Sequence, residues 1–233
     1  IETVVHVCDY VKAKKRSKKT MYLCFDEWNV WFHSLQKDKE QKPWIVGPSL
    51  LEDVYTFEDA LVVGCLLNSL LRHCDRVKIA CLAQLVNTIA PIMTETGGPA
   101  WRQTIYWPFY YASKYGRGEV LDCRVEVGSY ENAQYGTIPY ADTLLVHHPD
   151  TGEIDVFVVN RHQQQALAIE LDLSGFSGSY TLFEHIALEH QDQYAVNDKL
   201  HPDEVVPKQI FHGDICSVVE VAPLTWNLLR FHP

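Results

Sequence analysis

The sequence predicts an α/β segment followed by an all-β one: part of a (β/α)8 barrel over residues 1–118, then an antiparallel β-sandwich over residues 119–233. Three observations predict it. Helix-period and strand-like stretches alternate through the first part. A continuous apolar run, Met-Tyr-Leu-Cys-Phe at 21–25, suits a strand buried on both faces. After residue 119 the pattern changes to short strands separated by turn signals, as in a sandwich. A complete (β/α)8 barrel takes about 250 residues, so residues 1–118, with two strands, supply only a piece of one.

The elements follow in order. Val4, Val5, Cys8 and Val11 recur at helical spacing, which places a helix over 1–13. The lysines from Lys12 to Lys19 read as its solvated C-terminal end, where cations complement the helix dipole. Strand 21–26 comes next, then a loop of about thirty residues, a length that is usually functional or disordered when it occurs in compact domains. Thr-Phe-Glu-Asp at 56–59 resembles a capping box and starts a helix to about 73. That helix is apolar nearly all round and is expected to be well buried. Strand 77–83 ends at Gln84. An aromatic helix from Trp101 to Tyr115 is expected to pack between the two parts rather than hold a ligand. Beyond it, strands are expected at 144–147, 154–160, 166–173, 180–186, 217–221 and 225–231. Leu167, Ile169 and Leu171 alternate with Ala168, Glu170 and Asp172, a period-two pattern with one apolar face.

Composition narrows the function. The net charge of −10 argues against a nucleic-acid partner, and no apolar run is long enough to span a membrane. The seven cysteines include no Cys-x-x-Cys pair. They read as reduced core residues of a cytoplasmic protein, not as a disulfide framework or a metal site. His147 and His148 read as turn or surface histidines, because neighbours on a strand face opposite ways. The chain opens inside an apolar-periodic segment without Met, so it is expected to be a piece of a longer protein.

The chemistry concentrates in Phe-Asp-Glu-Trp-Asn-Val-Trp at 25–31. Carboxylates at the end of a buried strand need a reason, since burying one costs several kcal/mol unless it is compensated. In a (β/α)8 barrel the C-terminal strand ends form the active-site face. An acid beside tryptophans suits a sugar: the ring covers apolar C–H surface while the acid meets the anomeric carbon. Strict alternation puts Glu27 toward the pocket and Asp26 toward its neighbours.

The chain resembles the C-terminal half of glycoside hydrolase family 51 α-L-arabinofuranosidases. The resemblance rests on 25–31, Tyr-Thr-Phe-Glu-Asp-Ala-Leu at 55–61, Cys-Leu-Ala-Gln-Leu-Val-Asn at 81–87, Ile-Ala-Pro-Ile at 89–92, Gly-Gly-Pro at 97–99 and Ala-Pro-Leu-Thr-Trp-Asn at 222–227. It implies a barrel followed by a sandwich and metal-free, cofactor-free hydrolysis of terminal α-L-arabinofuranosyl groups with retention. It implies Glu27 as nucleophile at the end of the seventh barrel strand, Gln84 as a hydrogen-bonding residue at the end of the eighth, and Trp31 as an aromatic wall of the sugar site. His33 is a further candidate for that wall. The implied partners are an arabinose-containing oligosaccharide or polysaccharide, the missing N-terminal half, and further copies of the parent in a homo-oligomer. The family's acid/base Glu sits in an Asn-Glu motif after the fourth strand, which this chain does not contain; nothing in the resemblance makes Glu95 its substitute. The chain alone is therefore expected to be inactive. The alternative is a non-catalytic fragment that binds carbohydrate or packs against another subunit.

Overall fold

The computed structural model describes residues 1–31, 39–212 and 218–233. The protein is mostly sheet, with three helices among the described residues: α1 (Glu2–Lys14), α2 (Phe57–Arg72) and α3 (Tyr106–Tyr115). The strands are β1 (Leu23–Trp28), β2 (Val77–Leu82), β3 (Ile92–Thr94), β4 (Ala100–Arg102), β5 (Glu119–Leu121), β6 (Ser129–Asn132), β7 (Gly136–Pro139), β8 (Ala141–His147), β9 (Ile154–Asn160), β10 (Leu167–Glu170), β11 (Thr181–Leu188), β12 (Lys208–Gln209), β13 (Val218–Val221) and β14 (Thr225–His232).

The centre is a six-stranded antiparallel sheet in the order β12-β11-β14-β9-β8-β5. Its register sets one row across four strands, Ile186, Leu228, Phe157 and Leu144. That row faces α2 and α3 and joins Val63, Leu67, Ile105 and Trp226 in one core. The next residues along the strands, Leu229, Val156 and Leu145, turn to the other face. There they meet Val219 and Val221 of the antiparallel pair β10–β13, with Leu167 and Ile169 packed alongside. The two sheets form the expected β-sandwich. Asn160 ties them by donating from Nδ2 to the carbonyls of Val221 and Ala222, at 3.1 and 2.9 Å.

On the helical side, β1 and β2 pair in parallel through the crossover helix α2. These two strands are open, not a barrel, and no further parallel strand joins them among the described residues. The capping box on α2 forms as expected: Thr56 Oγ1 accepts from the Asp59 N–H, and Asp59 Oδ2 accepts from the Thr56 N–H at 2.8 Å. Gly64 lets α2 lie on the sheet, since a Cβ there would sit 2.5 Å from Trp226 Cδ1.

Several expectations are corrected. β1 is not buried on either face: Cys24, Asp26 and Glu27 are exposed and the rest half-exposed. α2 is buried along one side only, with Val62 and Leu66 exposed, because only one side meets the sheet. Trp101 lies on β4, outside the aromatic helix. The short strands β3, β4, β5, β6, β7 and β12 carry too few apolar residues to show periodicity. Cys24, Cys74, Cys81 and Cys123 are exposed rather than core, while burial pushes the Cys65 thiol up to about 12. His33, Cys216 and Ser217, the first residue of the expected 217–221 strand, lie outside the described residues.

α3 does join the two parts. Tyr111 packs on Trp226 with ring centroids 5.6 Å apart, and Trp107 Nε1 donates to the Val205 carbonyl at 3.1 Å. Tyr106 and Tyr110 stack on each other, and Tyr110 stays partly exposed.

Candidate active site

Parallel pairing brings the C-terminal ends of β1 and β2 side by side. Trp28 is opposite Leu82, so Glu27 precedes that pair and Gln84 follows it by two residues. The register between Phe25–Ala80 and Trp28–Leu82 slips, with three steps on β1 against two on β2. The extra step falls at Asp26-Glu27. Such irregularities re-aim side chains and recur beside active sites. Both acids are exposed here, and with a register slip at this point strict alternation alone does not assign their faces.

Trp28 turns toward the helices, 6.3 Å from Phe109 by ring centroids. Its indole Nε1 is buried without an acceptor. Trp31, beyond the strand end, is 52% exposed. Gln84 is exposed, and its backbone N–H donates to the Ile89 carbonyl at 3.0 Å. The Ala83–Gln84 peptide is cis. Around this turn Asn87 and Ile89 adopt positive φ, and Asn87 is held by Thr94, whose N–H donates to Asn87 Oδ1 at 2.7 Å.

Two supports went unread in the sequence. Asn29, singled out only as part of a motif, donates from Nδ2 to the carbonyls of Ala83 and Ile89, at 2.7 and 2.6 Å, and its Oδ1 accepts from the Val30 N–H at 2.8 Å. Gln103, 1% exposed, accepts from the Tyr55 N–H and donates to the carbonyls of Asp53 and Ala90. It fastens the chain entering α2 to the turn after β2. An isolated Gln carries no periodic signal, so only the fold finds it. Beside it, the Asp53 carboxylate is 2% exposed and neither oxygen is hydrogen-bonded. Burial, with Asp53 and Asp59 nearby, pushes the Tyr55 phenol well above its usual range.

Other candidates fall elsewhere. Glu95 pairs with Lys199 at 3.0 Å. His148 is not a plain surface residue: its Nε2 lies 2.8 Å from the buried Asp155 carboxylate. Asp155 also binds Arg230, which reaches Glu184 and Glu153 as well and lies 4.1 Å from the Tyr115 ring centre. Burial raises the Asp155 pKa despite Arg230 and His148. Among the described residues no three His, Cys, Asp or Glu side chains gather to hold a metal. No helix of the described residues is long and apolar enough to cross a membrane.

A two-sheet sandwich beside a parallel strand pair crossed by a helix defines the class: a sheet-rich protein with a short α/β portion packed on a β-sandwich. Residues 26–222 match the alpha-L-arabinofuranosidase C-terminal domain, and the chain belongs to that family. It is 50% identical, over 99% of its length and 46% of the relative's, to an intracellular exo-alpha-(1->5)-L-arabinofuranosidase of Halalkalibacterium halodurans. A Bacillus subtilis protein with the same description is 48% identical over 99% of the chain and 46% of the relative. A solved family 51 alpha-L-arabinofuranosidase from Bifidobacterium longum superposes with a TM-score of 0.91 at 33% identity, covering 100% of this chain and 47% of that one. The chain thus spans about half the length of the relatives it matches.

Proposed function

We propose that this chain is the C-terminal portion of an exo-acting, retaining α-L-arabinofuranosidase. In this reading residues 1–118 are the last part of a (β/α)8 catalytic barrel and residues 119–233 the sandwich that follows it. The carrying observation is the convergence of Glu27 and Gln84 at the adjoining ends of two parallel strands, in a family of arabinofuranosidase domains. That is where barrel enzymes place their chemistry.

Glu27 is the nucleophile. Its carboxylate oxygen bonds to the anomeric carbon as the bond from that carbon to the leaving oxygen breaks. The departing oxygen takes its proton from a second carboxyl, which in retaining enzymes sits about 5–5.5 Å away and is supplied by the rest of the polypeptide. Water then loses a proton to that same group, attacks the anomeric carbon, and releases Glu27. Trp31 covers the apolar face of the sugar, and Gln84 hydrogen-bonds near the nucleophile or the sugar. The substrate is an arabinose-containing oligosaccharide or polysaccharide; relatives described as intracellular support a cytoplasmic enzyme. The N-terminal half of the same protein is an obligatory partner, and the parent is a homo-oligomer.

The test uses the full-length protein. Glu27→Ala is expected to abolish hydrolysis of an aryl α-L-arabinofuranoside. Azide, entering the vacated face, is expected to restore release of the aryl group and give the inverted glycosyl azide. Retained activity in the variant without azide would remove Glu27 from this role.

A further inference from the structure

Both N–H donors of the Asn29 amide are committed to the turn that carries Gln84. Nδ2 donates at 2.7 Å to the carbonyl of Ala83, directly before Gln84, and at 2.6 Å to the carbonyl of Ile89. The Ile89 carbonyl also accepts the Gln84 N–H, at 3.0 Å. Oδ1 accepts the Val30 N–H at 2.8 Å, which locks the side chain to its own backbone. Below it, the Ala83 N–H donates to the Trp28 carbonyl at 3.0 Å. The orientation of the amide is set by its partners: turned over, its oxygen would face two carbonyl oxygens.

Glu27 sits two residues before Asn29, and the peptide that enters Gln84 is held at both its carbonyl and its N–H by groups that Asn29 binds. We propose that Asn29 is a positioning residue that sets Gln84 against Glu27 across the ends of β1 and β2. The proposal rests on the reading of Glu27 and Gln84 given above. Asn29 touches no reacting atom and acts through Gln84. Without it Ala83 and Gln84 keep their backbone bonds to Trp28 and Ile89 but lose the side-chain clamp on the Ala83 carbonyl. A misplacement of about 1 Å at a catalytic constellation can cost about 10²-fold in rate.

The experiment is a double-mutant cycle in the full-length protein, using Asn29→Ala, Gln84→Ala and the double variant. It measures kcat and KM on an aryl α-L-arabinofuranoside together with thermal midpoints. The expected result is a loss of up to about 10²-fold in kcat/KM for Asn29→Ala. The double variant is expected to be no slower than Gln84→Ala alone, because residues that act through one another are not additive. Losses that multiply would overturn the proposal while leaving the role of Gln84 intact. A silent Gln84→Ala would bring down both that role and the proposal. A loss in Asn29→Ala that only tracks a lowered thermal midpoint would overturn it as well.

Asn29→Asp gives a second, shape-conserving check. Ionised, the new carboxyl turns two donors into acceptors facing the Ala83 and Ile89 carbonyls; protonated, it regains one donor. Its activity relative to the parent is expected to climb as pH falls. A ratio independent of pH would contradict the clamp.

Discussion

β1 and β9 each carry an unbroken apolar stretch, residues 23–25 and 156–159, and they end in opposite conditions. Every residue of β9 is buried; no residue of β1 is. β9 lies between β14 and β8, with helices on one face and the β10–β13 pair on the other. β1 has only β2 beside it among the described residues, and exposed Met21, Tyr22 and Ile79 flank it. An apolar run therefore states that a strand requires cover, not what provides it. In the sandwich the cover lies within this chain. Around β1 the apolar surface is left facing outward, which fits its proposed place inside a larger barrel.

The comparison can be broken most decisively at two arginines. Arg230 binds the fully buried Asp155, 0% exposed, while Arg76 binds Asp9, whose side chain is 46% exposed. Removing Arg230 leaves a carboxylate that water cannot reach with His148 as its remaining side-chain partner. Arg230→Ala is expected to cost about 3–5 kcal/mol in denaturant unfolding. Arg76→Ala is expected to cost far less, since water takes over around Asp9. Equal losses at the two sites would erase the distinction between them.

A smaller effect is expected at the seam. Gly64→Ala gains helix propensity, roughly 1 kcal/mol, but drives a methyl into Trp226, which is 1% exposed and has no room to move. Overpacking of this kind costs about 1–3 kcal/mol, so a net loss of stability is expected. A stabilised variant would show that α2 rides loosely on the sheet.

The smallest effect concerns pH. His185 is 2% exposed, with Nε2 at 3.0 Å from Asn227 Oδ1 and Nδ1 at 2.7 Å from His212 Nε2. Burial lowers its pKa below the ordinary 6.5, with Asn227 opposing and His212 reinforcing the shift. Between that lowered value and 6.5 the unfolded chain holds more protons at this site. Its contribution to stability is therefore complete above 6.5 and declines as pH falls through that window. His185→Gln is expected to flatten the difference between urea midpoints taken at about pH 5 and about pH 7. An unchanged slope would place the dependence on other groups.

Much of the fold was legible because its signals are local. The capping box at Thr56 and Asp59 needs only three residues of spacing. The alternation of Leu167 and Ile169 with Ala168 and Glu170 reports one half-buried face directly. The span expected at 154–160 is β9 itself. What was misread depends on distant partners. Cys24 was expected in the core, but β1 pairs with β2 alone among the described residues and leaves it exposed. His148 looked like a turn residue until Asp155 folded against it.

The sequence by itself determined the longer strands and helices, and the family, through motifs held within a few residues. Tertiary structure alone decided that Asn29 clamps the turn before Gln84, that Gln103 fastens segment 53–55 to Ala90, and that Arg230 gathers three carboxylates. The reason is physical. Periodicity and capping follow from short-range backbone geometry, whereas a single polar side chain is satisfied by whatever group folding brings within about 3 Å. Nothing in the spacing of Asn29 and Ala83, 54 residues apart, foretells that they meet.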